Sequence, residues 1–230
     1  MMRLFDIKTN ILPRIDPNCD SITDSLNYLR NFKERNLNKI CSAPNFFDVG
    51  DNNLTDILID LQKEASKLEN FEVPEIFSSV IYPLNTNLIE FDNLKTINET
   101  NFIMCKFPTF GIPLNFNEKL RYLINNNYLP IITNIVHCPL GKNQKILNDL
   151  FEIGCLFDID IYDFFEFKNK KTSKIVKYME KQNSIISVSG FNRIVELQRS
   201  FERFSKQTGV DRDKLEHEYC WNNPNIIVNN

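Results

Sequence analysis

Short runs of β-branched, aromatic and other apolar residues alternate along the chain with segments whose apolar residues recur every three or four positions. Residues 4–7 open the series as a strand. Residues 21–36 follow as a helix, with Ile22, Leu26, Tyr28, Leu29 and Phe32 on one face and Ser21 or Thr23 as N-cap. Residues 39–43 form a second strand, and 53–68 a helix that turns Leu54, Ile57, Leu58, Leu61 and Ala65 to one side. Strands are predicted again at 76–82, 102–107, 130–133, 155–161 and 184–188. Helices are predicted at 117–126, 144–153, 173–181 and about 192–205, with a poorly defined one between Tyr82 and Phe102. Runs this short and this continuously apolar fit parallel strands covered by helices.

About seven β/α steps imply an α/β fold with a parallel sheet, either open and doubly wound or closed as a barrel. Periodicity does not choose between them. No internal repeat and no linker rich in Gly, Pro or Ser divides the chain, so residues 1–230 are expected to form a single domain. A polar tail from about Thr208 is expected on its surface. With 42% hydrophobic and 25% charged residues the chain can build a core, which excludes general disorder. Its net charge of -3 offers no basic face for nucleic acid.

No run approaches the roughly eighteen apolar residues of a membrane helix. The first ten residues lack the apolar core of a signal peptide, so a cytoplasmic location is expected. The six cysteines are scattered with no C-x-x-C pair, which argues against a zinc knuckle and a disulfide framework. They read as small buried apolar residues.

In parallel β/α proteins the reactive groups sit at the carboxyl ends of the strands and in the loops that follow. Those positions hold Asp6, Lys8, Thr9 and Asn10, then Pro44 and Asn45, then Lys106. Asn134, His137 and Cys138 follow the fifth strand, Asp158 and Asp160 lie in the sixth, and Ser189, Asn192 and Arg193 follow the last. As a transition-metal site this set is poor, because the chain has only two histidines and lysines would repel a cation. No glycine-rich nucleotide-binding fingerprint is present.

The opening Asp6-Ile7-Lys8-Thr9-Asn10-Ile11-Leu12-Pro13-Arg14-Ile15-Asp16, with Asp24-Ser25-Leu26 soon after, resembles a D-I-H-S-H-I-L-P-G-I-D-D-G opening followed by E-D-S-L. That opening belongs to bacterial protein-tyrosine phosphatases of the polymerase-and-histidinol-phosphatase (PHP) superfamily, linked to capsular and extracellular polysaccharide systems. Ser42-Ala43-Pro44-Asn45 is similar to A-T-P-H, and Asn101-Phe102-Ile103-Met104-Cys105-Lys106 to N-Y-V-L-V-E. Tyr128 to Asn134 is similar to Y-x-P-x-x-A-H, Gly154 to Asp160 to G-C-L-F-Q-L-N, and Asn222-Asn223-Pro224 to the closing N-N-P-x-x-I. The resemblance spans nearly the whole chain and implies a distorted (β/α)7 TIM-like barrel of the PHP type.

The departures from that pattern carry the functional expectation. The family holds manganese or similar divalent ions through His, Glu and Asp at the strand ends. Here those positions read Lys8, Asn10, Asn45, Lys106, Asn134, Ser189 and Phe191, and loosely Ile81, with Asp6 alone retained near the metals. Without its ions such a site generates no hydroxide nucleophile. The chain is therefore expected to use no cofactor and to be a catalytically inactive homologue. Its expected role is to bind anions or phosphoproteins, with a phosphorylated protein or a polysaccharide-export kinase component as partner. The alternatives are an active phosphoric monoester hydrolase with atypical metal ligands, and a purely structural or interaction protein. The oligomeric state is not legible.

Four features admit two readings each. Lys8 and Lys106 either converge on an anion or reach to solvent. His137-Cys138 with Gly141 superficially resembles the loop of cysteine-dependent phosphatases, or is an ordinary loop. Asp158 and Asp160 form an acid/base pair, or they cap loops or pair with neighbouring lysines. The aromatic stretch from Tyr162 to Phe167 is a partner patch or packs on the body of the fold. Asp6, Asn10, Asn45, Asn134, His137, Ser189 and Arg193 complete the candidate pocket.

Overall fold

The computed structural model describes residues 3–17, 19–69, 71–91, 93–135, 143–162, 164, 170–191 and 196–229. Among them, β1 (Leu4–Thr9), β2 (Leu37–Ser42) and β3 (Glu75–Ser78) form one parallel sheet in that order. A second parallel sheet runs β4 (Ile81–Pro83), β5 (Phe102–Lys106), β6 (Leu129–Thr133), β7 (Leu156–Asp160) and β8 (Ile185–Ser189).

The strand expected at 76–82 is thus two strands. Ser79 N–H donates to the Ser42 carbonyl and Ile81 N–H to the Pro44 carbonyl, both at 2.9 Å, so the chain leaves the first sheet and enters the second. An isolated bridge between Asn45 and Ile81 joins the sheets there. On the other side β1 lies beside β8, although among the described residues no strand ladder links them.

Every residue of β1 is buried, as are all of β4 and the last four residues of β6 and β7. Sheets covered on both faces require this, and it explains why the strands read as continuous apolar runs. The helices are α1 (Ile22–Glu34), the short α2 (Phe46–Val49), α3 (Leu54–Ala65), α4 (Phe116–Asn125), α5 (Gln144–Ile153), α6 (Lys170–Lys181) and α7 (Leu197–Thr208). α1 starts where Ser21 and Asp24 form a reciprocal capping box, an arrangement worth about 1 kcal/mol. The ill-defined helix before Phe102 is a pair of 3-10 turns, Leu88–Glu90 and Ile97–Glu99.

The segment after Thr208 corrects the expectation of a surface tail. Residues 212–229 are helical, with a π-helical stretch at Leu215–Asn222, and they pack on β1 and β8. Leu215, Tyr219, Cys220, Ile227 and Val228 are buried. Ile227 and Val228 join Phe5, Ile7, Cys41, Met104 and Ile131 in one apolar cluster, so this segment completes the interior between the strands. Phe164 is buried too, its ring 4.7 Å from Phe204, so this member of the aromatic stretch is core and not an exposed patch. Cys19, Cys41, Cys105, Cys155 and Cys220 are buried and form no disulfide. No described helix is long and apolar enough to cross a membrane.

Candidate functional site

Parallel strands bring their carboxyl ends to one rim, and that rim gathers most of the residues singled out in the sequence. Lys8, near the end of β1, is 9% exposed and points inward. Its Nζ donates to Asn134 Oδ1 at 2.9 Å and to Asp160 Oδ2 at 3.1 Å, and lies 3.5 Å from Asp158 Oδ2. Lys8 therefore does not reach out to solvent; its ammonium is held by these side chains at the wall of a cavity that Lys106 also lines. The reason is electrostatic, because buried carboxylates draw a cation that water would otherwise hold.

The carboxylates around it are heavily hydrogen-bonded. Asp158 accepts from Ser187 Oγ at 2.8 Å on one oxygen and from Ser189 Oγ at 2.7 Å on the other. The β7–β8 register, which sets Asp158 opposite Ser187 and Asp160 opposite Ser189, places both hydroxyls. Burial pushes the Asp158 carboxyl up from its ordinary value, against the pull of Lys8 and the two serines. Asp160 accepts from Tyr162 N–H at 3.0 Å through the oxygen that does not meet Lys8. Asp158 and Asp160 are therefore lysine partners, the second of the two readings open to them.

Asp6 sits one step deeper. Its Oδ1 accepts from Lys8 N–H at 2.9 Å, and its Oδ2 from Gly190 N–H at 3.0 Å and Phe191 N–H at 2.8 Å. Burial raises its pKa to about 7, an effect opposed by those N–H donors and increased by Asp158. Gly190 follows β8 with φ +87, and a Cβ built there would lie 2.2 Å from Asp160 Oδ1. Only glycine leaves room for that carboxylate, a requirement that no sequence motif signals.

Above this buried group opens a cavity of about 280 Å³, lined among others by Lys8, Asn10, Asn45, Lys106, Asn134 and Asp160. Lys106 ends β5, is half-buried and donates to Asn45 Oδ1, whose amide donates in turn to Asp48 at 2.7 Å. Burial holds its ammonium below the usual lysine value, with Asp48 opposing and Lys8 adding to the shift. Asn134 takes a left-handed backbone, φ +55, directly after β6, a conformation asparagine tolerates better than most residues. Five candidates thus meet at one cavity: Lys8, Asn10, Asn45, Lys106 and Asn134. Asp6 and Ser189 lie beneath it as supports. His137, Cys138 and Arg193 lie outside the described residues.

A model of the capsular polysaccharide synthesis family CpsB/CapC matches residues 4–228. The chain belongs to the CpsB/CapC family. The fold agrees with the match, since one solved structure superposes with a TM-score of 0.81, covering 99% of this chain and 95% of the other at 17% identity. It comes from work on YwqE of Bacillus subtilis and CpsB of Streptococcus pneumoniae, described as unique metal-dependent tyrosine phosphatases. No curated protein matches the chain. The CpsB/CapC relationship accounts for the PHP-type arrangement of parallel strands and helices seen here, and it frames the departures at the strand ends.

Proposed function

We propose that this chain is a metal-free, catalytically silent member of its family, retained for binding or regulation. The observation that carries the proposal is the Lys8 ammonium set among Asn134, Asp158 and Asp160. The residues present do not fit the divalent ions on which the phosphatases of this fold depend. First-row metals take imidazole, thiolate and carboxylate ligands within about 2–2.3 Å. Here a fixed positive charge stands at the carboxylates instead, and serine hydroxyls and backbone N–H groups take the remaining oxygens of Asp158 and Asp6. Among the described residues no three His, Cys, Asp or Glu side chains are placed to hold an ion.

The partner class that the family offers is a phosphorylated protein or a component of a polysaccharide-export kinase system. Phe47, in α2, is 66% exposed and lines the neighbouring cavity that shares Lys106 and Asn134, where it supplies apolar surface. The competing reading, an active phosphoric monoester hydrolase with atypical ligands, rests on family and fold. An assay on a phosphotyrosine peptide, with and without added manganese, separates the two. The silent reading predicts no turnover above the blank in either condition. Manganese-stimulated turnover that disappears in Asp6→Ala would overturn it.

A further inference from the structure

We propose that the cavity between the loop after β1 and helix α3 binds a free apolar α-amino acid, with Arg14 taking its carboxylate and Asp60 its ammonium. This cavity shares no lining residue with the one at the strand ends, so the proposal stands whether or not a metal is held there.

The cavity measures about 440 Å³, within the range of small-ligand sites, and its lining comes from residues 13–22 and 52–60. Pro13, Ile15, Ile22 and Ile57 form apolar walls. Ile22 opens α1 and Ile57 lies in the first turn of α3, both half-buried against the core, so part of each is left to meet a ligand.

Four polar residues complete the lining, and two of them are already engaged. Ser21 exchanges hydrogen bonds with Asp24 as the cap of α1, and the Asn52 amide donates to the Val49 carbonyl at 2.7 Å. The other two carry opposite charges. Among the described residues, the Arg14 and Asp60 side chains pair neither with each other nor with any other group. Exposed charges often stand alone in water, but the backbone of Arg14 marks it out. Its φ of +65 lies in the left-handed region, which disfavours any residue with a Cβ. The family opening quoted above reads glycine at this position, where the angle carries no strain. Arginine adds a guanidinium to the cavity at the cost of that strain, and strained backbone concentrates at ligand sites.

Charge selects the class of ligand. Residues 9–29 and 40–62 contain every lining residue, and in them Arg14 is the only Lys, Arg or His against seven aspartates. A simple anion would meet mostly negative surroundings, and a simple cation would be repelled by Arg14. A zwitterion satisfies both sides. The guanidinium fork takes a carboxylate through two parallel hydrogen bonds, and an ammonium donates to the Asp60 carboxylate. An aliphatic side chain then displaces water from the isoleucine and proline walls.

The test is calorimetric titration of the full chain with L-leucine and three analogues. Isocaproate lacks the ammonium of leucine, isoamylamine lacks its carboxylate, and free glycine lacks its side chain. Leucine is expected to bind with a dissociation constant of about a millimolar or tighter, and each analogue about tenfold more weakly. Arg14→Gly relieves the backbone and so leaves folding intact, and Asp60→Asn changes an exposed helix position. Each variant should weaken leucine about tenfold. The absence of saturable leucine binding would overturn the assignment. So would an analogue that binds as tightly as leucine, or a leucine affinity unchanged in either variant. Those failures leave the metal-free reading untouched, because that reading concerns the strand-end rim alone.

Discussion

Lys8 Nζ lies 3.1 Å from Asp160 Oδ2, and both side chains are shut away from solvent. The pair, extended by Asp158 at 3.5 Å, places a covalently tethered cation at the centre of the strand-end carboxylates. A tethered ammonium differs from a bound ion in one respect that matters for function. It neutralises the carboxylates but cannot exchange, and it brings no water to be deprotonated.

Lys8→Met should therefore be among the most damaging single substitutions in the chain. Removing one member of a buried ion pair strands the other charge and typically costs roughly 3–5 kcal/mol. Lys106→Met, at a half-buried lysine bonded to a neutral amide, should cost about 1 kcal/mol or less. Urea unfolding of both variants checks the ranking. Equal losses would mean that Lys8 does not carry the charge balance.

Gly190→Ala should be destabilising by about 1–3 kcal/mol, through a positive φ and an approach of 2.2 Å to Asp160 Oδ1. The cost should shrink in an Asp160→Ala background, where the obstructing carboxylate is gone. A double-mutant cycle reads that coupling directly. Additive losses would show that the backbone angle alone is responsible.

Stability should fall as pH rises from about 4 to about 7. Asp6 titrates near 3.8 when unfolded and at about 7 in the folded chain, so over that interval the folded state holds a proton that the unfolded state has released. The proton count then makes the unfolding free energy decline by about 1.4 kcal/mol for each pH unit, levelling off above pH about 7. Asp158, also raised, adds in the same direction. Melting temperatures measured across this range, in wild type and in Asp6→Asn, should show the decline in the first and a flatter profile in the second.

Much of this arrangement was legible in the sequence, for identifiable reasons. Alternating β and α periods set the parallel strands, and parallel strands put Lys8, Asn45, Lys106 and Asn134 at one rim whatever the details of packing. The direction in which Lys8 points was not legible, because its partners come from the residue after β6 and from β7, more than a hundred residues away. The need for Gly190 depends on how closely β8 brings its backbone to Asp160, which spacing along the chain does not encode. The C-terminal segment was misread for a different reason. Glu216, His217 and Glu218 separate Leu215 from Tyr219 and Cys220 in a π-helical stretch, so the segment reads as polar and shows no sustained apolar stripe at the 3.6-residue period. The division of residues 76–82 into β3 and β4 likewise follows from a change of neighbouring strand, not from any break in hydrophobicity.

On the proposed metal-free reading, the Lys8 ammonium stands where a divalent ion would otherwise balance Asp158 and Asp160. Elemental analysis of the purified full chain, after exposure to excess manganese, iron and zinc followed by gel filtration, tests it most directly. No ion should be retained in stoichiometric amount, and the melting temperature should not respond to EDTA. Two or more equivalents of tightly held metal, with a melting temperature that drops on chelation, would contradict it.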